Sequence, residues 1–103
     1  MTPRITARQI DATPGLRAHI AKKVGGLDRV YDGIHDARVT LAPAAHGTRA
    51  EIALQVYRQT LTAGADAATP EGAVDDAVRA LRRQVGRYKA RLRDRSSGAS
   101  PRP

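Results

Sequence analysis

The stretch Val74-Asp75-Asp76-Ala77-Val78-Arg79-Ala80-Leu81-Arg82-Arg83-Gln84-Val85-Gly86-Arg87-Tyr88-Lys89-Ala90-Arg91-Leu92-Arg93-Asp94-Arg95 decides how the rest of the chain is read. Val74, Ala77, Val78, Leu81, Val85, Tyr88 and Leu92 recur at helical spacing, which aligns them along one stripe of an α-helix. The opposite side carries Arg79, Arg82, Arg83, Arg87 and Arg93, with Lys89, Arg91 and Arg95 nearer the flanks. From Arg79 onward eight basic residues face a single acid, Asp94. A helix built this way buries one side and presents the other to a polyanion.

The composition supports that reading. A chain of 103 residues holds one small domain with a modest core, and with only Tyr31, Tyr57 and Tyr88 as aromatics that core must be aliphatic. Lys and Arg number 18 against 10 Asp and Glu, a net charge of +8, which points to nucleic acid or an anionic membrane surface. The absence of cysteine excludes disulfide scaffolds and cysteine-ligated zinc folds. Met1 to Gln9 lacks the apolar run of a signal peptide, and no stretch is long and apolar enough to span a membrane, so a cytoplasmic protein is expected.

Working back to the N-terminus, Arg4 to Gln9 alternates Ile5 and Ala7 with Thr6 and Arg8 and predicts a short strand. Thr13-Pro14 is a helix start, with a hydroxyl cap and proline at the first helical position. Leu16, Ile20, Val24, Leu27 and Tyr31 (or Val30) continue at helical spacing until Asp32-Gly33, while His19, Lys22, Lys23 and Arg29 fall off that stripe. Gly25-Gly26 interrupts the helix at a cost of about 1 kcal/mol each and is expected to be a tolerated kink or a thinned packing surface rather than a functional hinge.

Three further strands are predicted from alternation: Ala37, Val39 and Leu41; Ala50, Ile52, Leu54 and Val56; Leu61, Ala63 and Ala65. Pro43 to Thr48 reads as a loop, and the link at Arg58-Gln59 has no Asn-Gly or Asp-Gly signature. Thr69-Pro70-Glu71 repeats the cap grammar and opens the final helix, to about Asp94. The expected fold class is therefore α+β, in the order β-α-β-β-β-α, a four-stranded sheet with two helices packed on one face. Thr6, Arg8, Arg38, Thr40, Arg49, Glu51, Gln55 and Thr62 would lie on the open face. Residues 1–95 form one domain, and 96–103, rich in Ser, Gly and Pro, are expected to be a disordered tail.

Catalytic chemistry is hard to place. Ser96, Ser97 and Ser100 are the only serines and all lie in that tail, leaving no ordered Ser or Cys nucleophile. His19, His35 and His46 lack paired-ligand spacing, and Asp28, Asp32 and Asp36 lack the ligand density of a calcium loop. Asp75 and Asp76, adjacent on a helix, diverge by about 100° and favour the helix dipole instead of forming a catalytic pair. Tyr88, near the apolar stripe, is read as core rather than as a base-stacking platform, which needs an exposed ring. No enzyme, cofactor, metal or small-molecule substrate is expected.

Two segments resemble a known family. Ile5 to Ile10, Thr13 to Leu16, Ile20 to Val24 and Leu27 to Asp32 are similar to the first half of the bacterial ribosome hibernation-promoting factors, the family of the ribosome-associated inhibitor A, also labelled sigma factor modulation proteins. Ala73 to Asp75, Leu81 to Val85 and Arg87 to Leu92 are similar to its closing helix. The resemblance implies binding to the small ribosomal subunit and its rRNA, in the channel of mRNA and the tRNA anticodon arms, blocking translation and preserving idle ribosomes in stress or stationary phase. Carried over by position, it makes Lys22, Lys23, Arg83, Arg87, Lys89 and Arg91 rRNA contacts. Arg79 and Arg82, where the family often has acids or mixed residues, join them from the helix face alone. Gly25-Gly26 replaces bulkier residues, Gly86 falls where a basic residue is common, and Glu71 stands where an aromatic is common. The dimerising C-terminal domain of the family's long form is not present in this sequence, so a short form, monomeric off the ribosome, is expected. Two rivals are an RNA-binding module of the double-stranded-RNA-binding type, which lacks the first strand, and a protein-interaction regulator of transcription.

Overall fold

The computed structural model describes residues 1–98, with side chains through Arg93. Its elements are β1 (Arg4–Ala7), α1 (Pro14–Gly25), a 3-10 helix (Gly26–Arg29), β2 (Asp36–Ala44), β3 (Gly47–Val56), β4 (Gln59–Ala67) and α2 (Pro70–Gly98). The expected order and α+β class hold. Both helices open as their sequences dictate: Thr13 Oγ1 accepts from the Leu16 amide (3.2 Å) and Thr69 Oγ1 from the Gly72 amide (3.0 Å), with proline at the first helical position of each.

The four strands lie in sequence order in one sheet. β1 pairs in parallel with β2, Ile5 opposite Val39, across the α1 crossover, and β2, β3 and β4 form an antiparallel meander. That parallel first strand excludes the double-stranded-RNA-binding alternative. Val39, Leu41, Ile52, Leu54 and Val56 on the covered sheet face meet Leu16, Ile20, Val24 and Leu27 from the first helical segment. α2 completes the core with Ala73, Val74, Ala77, Val78, Leu81, Val85 and Tyr88. Tyr88 is buried, as its place beside the stripe implies, and packs edge-on to Tyr31 with centroids 5.5 Å apart.

Three local readings change. The first helix does not run unbroken to Asp32-Gly33: at Gly25-Gly26 it tightens into the 3-10 helix. The glycines do not thin a packing surface, because a methyl at Gly26 would meet nothing within 4 Å and one at Gly25 only the Met1 carbonyl oxygen at 3.9 Å. β2 continues through Pro43 to Ala44, so the loop shrinks to Ala45-His46. Pro43 is tolerated because its nitrogen, like the Leu41 carbonyl that accepts from the Arg8 amide, faces the β1 side, where β1 has already ended. At that turn a Cβ on Gly47 would collide with the Ala67 carbonyl, so glycine is required there. Finally, α2 continues past Asp94 to Gly98; the rest of the stretch read as a tail, 99–103, lies outside the described residues.

Candidate nucleic-acid interface

α1 and α2 lie side by side and run parallel. His19 Nε2 donates to Asp75 Oδ1 (2.8 Å) near their starts, and Lys89 Nζ donates to the Val30 carbonyl (2.6 Å) beyond the end of the first helical segment. Between these two cross-links runs an open groove of about 630 Å³, lined by Lys22, Lys23, Arg29, Arg79, Arg82 and Asp75. Gly25 and Gly26 also line it, and their missing side chains leave its wall low. Five cations against one carboxylate, itself bonded to His19, make this groove electropositive.

The sequence-predicted residues do not form one cluster. Lys22, Lys23, Arg79 and Arg82 converge on the groove. Arg83, Arg87 and Arg91, four residues apart, form a strip on the other flank of α2, and Arg91 reaches the β3–β4 hairpin beside Tyr57 and Arg58. Lys89 is half-buried and tethered to Val30, unlike the other seven, which are exposed. Arg79 is paired with Asp76 at 3.0 Å; Lys22, Lys23, Arg82, Arg83, Arg87 and Arg91 have no ion-pair partner among the described residues. Arg29 belongs to the groove although the sequence reading left it out; its departure from the apolar stripe, shared with Lys22 and Lys23, was the signal that could have included it.

The open sheet face behaves differently. Arg4 and Arg38 flank Asp36 at 3.7 and 3.9 Å, and Arg49 pairs with Asp66 at 3.0 Å and Glu51 at 3.8 Å. Exposed pairs of this kind add little stability, but they neutralise one another locally. The uncompensated positive charge is therefore concentrated on the helical side. Among the described residues no group of His, Asp and Glu is arranged to hold a metal ion, and no helix is long and apolar enough to cross a membrane.

This is a small α+β domain with a cationic two-helix face set over a four-stranded sheet. The chain belongs to the family described as Sigma 54 modulation protein / S30EA ribosomal protein, which it matches over residues 4–93. It is 30% identical over 99 residues to the ribosome hibernation promotion factor of Bradyrhizobium diazoefficiens, covering 94% of this chain and 49% of that protein. The ribosome hibernation promotion factor of Deinococcus radiodurans is also 30% identical, over 97% of this chain and 55% of its own length, so the chain spans about half the length of these two relatives. The Azotobacter vinelandii ribosome hibernation promoting factor is 27% identical and is covered over 94% of its length. Among solved structures, the N-terminal domain of Thermus thermophilus Protein Y superposes with a TM-score of 0.75 at 32% identity, covering 82% of this chain and 94% of that one. A ribosomal subunit interface protein from Coxiella burnetii shares the fold, with a TM-score of 0.81 at 22% identity over 87% and 99% of the two chains.

Proposed function

We propose that this protein is a ribosome hibernation factor that binds small-subunit rRNA in the mRNA and tRNA channel through its helical face, without catalysis. Family membership and relatives named as hibernation promotion factors support the ribosome as partner. The observation that carries the rRNA reading is the asymmetry of charge: paired Arg4, Arg38 and Arg49 on the open sheet face, against Lys22, Lys23, Arg82, Arg83, Arg87 and Arg91 on the helical side, which have no ion-pair partner among the described residues. A polyanion docks where phosphates can replace water and counterions rather than break existing ion pairs. Arginine dominates both the groove and the strip, which suits bidentate phosphate contacts. Lys89 serves this surface as a tether for the 3-10 helix instead of a direct contact.

The test is sedimentation with purified small subunits on sucrose gradients at two salt concentrations. The groove variant Lys22→Glu with Arg82→Glu and the strip variant Arg83→Glu with Arg87→Glu are each expected to lose binding while keeping the wild-type circular dichroism spectrum. Cosedimentation of both variants at wild-type levels rules this surface out. Salt-insensitive binding to a protein, with no sedimentation on subunits, would favour the transcription-regulator reading instead.

A further inference from the structure

Tyr57 is the one large apolar side chain left well exposed among the described residues, at 57%. It occupies the β3–β4 hairpin tip together with Arg58, which adopts φ +66°, a left-handed conformation that glycine or asparagine fills more easily. The Arg58 guanidinium carbon lies 5.3 Å from the centroid of the Tyr57 ring. Beneath the tip, the Tyr88 hydroxyl donates to the Tyr57 carbonyl at 2.9 Å, fixing the backbone that presents the ring. A recess beside it is lined by Tyr57, Arg58, Gln59, Tyr88, Arg91 and Leu92.

We propose that this tip is a stacking site for an unpaired nucleobase of RNA, with Tyr57 as the platform and Arg58 and Arg91 on the flanking phosphates. The proposal rests on the RNA-binding reading above. Three observations carry it. An aromatic ring held out of the core by a backbone anchored from behind presents a π-face that any base can use. A strained arginine where glycine would be easier keeps a guanidinium against that ring, so a base stacking there meets a cation at once. The strip of Arg83, Arg87 and Arg91 leads along α2 to the tip, with no carboxylate paired to any of the three among the described residues, so a backbone following the strip arrives at Tyr57.

The test uses the whole chain and two probes: purified small subunits, and a single-stranded RNA oligonucleotide carrying 2-aminopurine, whose fluorescence reports stacking. Tyr57→Ala is expected to weaken oligonucleotide binding about ten-fold and to abolish the stacking signal, with Tyr57→Phe restoring both. The salt dependence should stay as steep in Tyr57→Ala, because no phosphate contact is lost. Since the ring is exposed and Tyr88 bonds to the backbone, Tyr57→Ala keeps its melting temperature. Arg58→Gly is expected to raise the melting temperature while lowering RNA affinity, an opposition that a purely structural turn residue would not produce. Wild-type oligonucleotide affinity and signal in Tyr57→Ala overturn the stacking site, even where subunit binding upholds the ribosomal role. Weakened oligonucleotide binding in that variant, with a wild-type chain that ignores small subunits, upholds the site and overturns the ribosomal role.

Discussion

Lys89 Nζ sits 2.6 Å from the Val30 carbonyl, and this contact separates it from the other basic residues of α2. An ammonium satisfied by a backbone acceptor closing the 3-10 helix contributes through a charge-assisted hydrogen bond, whose net worth is about 1.5–3 kcal/mol. Lys89→Met is therefore expected to lower the unfolding free energy by about 1–2 kcal/mol in urea titration, since the methionine keeps the apolar contact but not the donor. The same variant should bind small subunits with an unchanged salt slope. A reduced slope would mean that Lys89 leaves Val30 to meet a phosphate. Spacing placed Lys89 on the flank of the helix correctly, but its bond to a residue 59 positions away was beyond any local pattern.

At the scale of elements, Gly26 at the start of the 3-10 helix and Gly86 in α2 make contrasting cases with a shared expectation. Gly26 has φ −63° and ψ −18°, a right-handed conformation open to any residue, and open space where its Cβ would be. Gly26→Ala should then stabilise by about 0.4–1 kcal/mol, chiefly by restricting the unfolded chain. Gly86, exposed in the middle of α2 with nothing within 4 Å of a Cβ, should yield about 1 kcal/mol when replaced by alanine. Thermal melts check both, and undiminished subunit binding by Gly26→Ala would show that the glycine pair is no functional hinge. The elements themselves were legible because each obeys one period: alternation in Ala50 to Val56, helical spacing in Val74 to Leu92, and the Thr-Pro cap before each helix. Pro43 misled because its effect depends on a neighbour: a missing amide matters only where a strand waits to receive it, and β1 stops short. The division of α2 cations between groove and strip was equally hidden. A helical wheel gives each residue's angle from the core, but not which flank meets α1 and which meets the hairpin.

At the scale of the whole molecule, the two faces should respond differently to ionic strength. Each phosphate neutralised contributes about 0.7–0.9 to the slope of log affinity against log salt. Arg38→Ala and Arg49→Ala remove cations already paired across the open sheet, so subunit affinity measured from low to moderate salt should keep its slope. Lys22→Ala with Arg82→Ala removes groove cations that have no ion-pair partner among the described residues and should flatten it by about 1.5. Equal flattening by both pairs of variants would mean that net charge alone, and not one face, attracts the partner.

The covered sheet face has a consequence for the order of synthesis. Of the 20 buried hydrophobic residues among those described, seven come from α2, the last of the described elements in chain order, and they cap β3 and β4. Until Tyr88 clears the exit tunnel, the nascent chain carries a sheet whose Leu54, Val56 and Leu61 have no cover from that side. The helix that seals the core must therefore leave a working ribosome before the domain can hold the shape with which, on the reading proposed above, it silences an idle one.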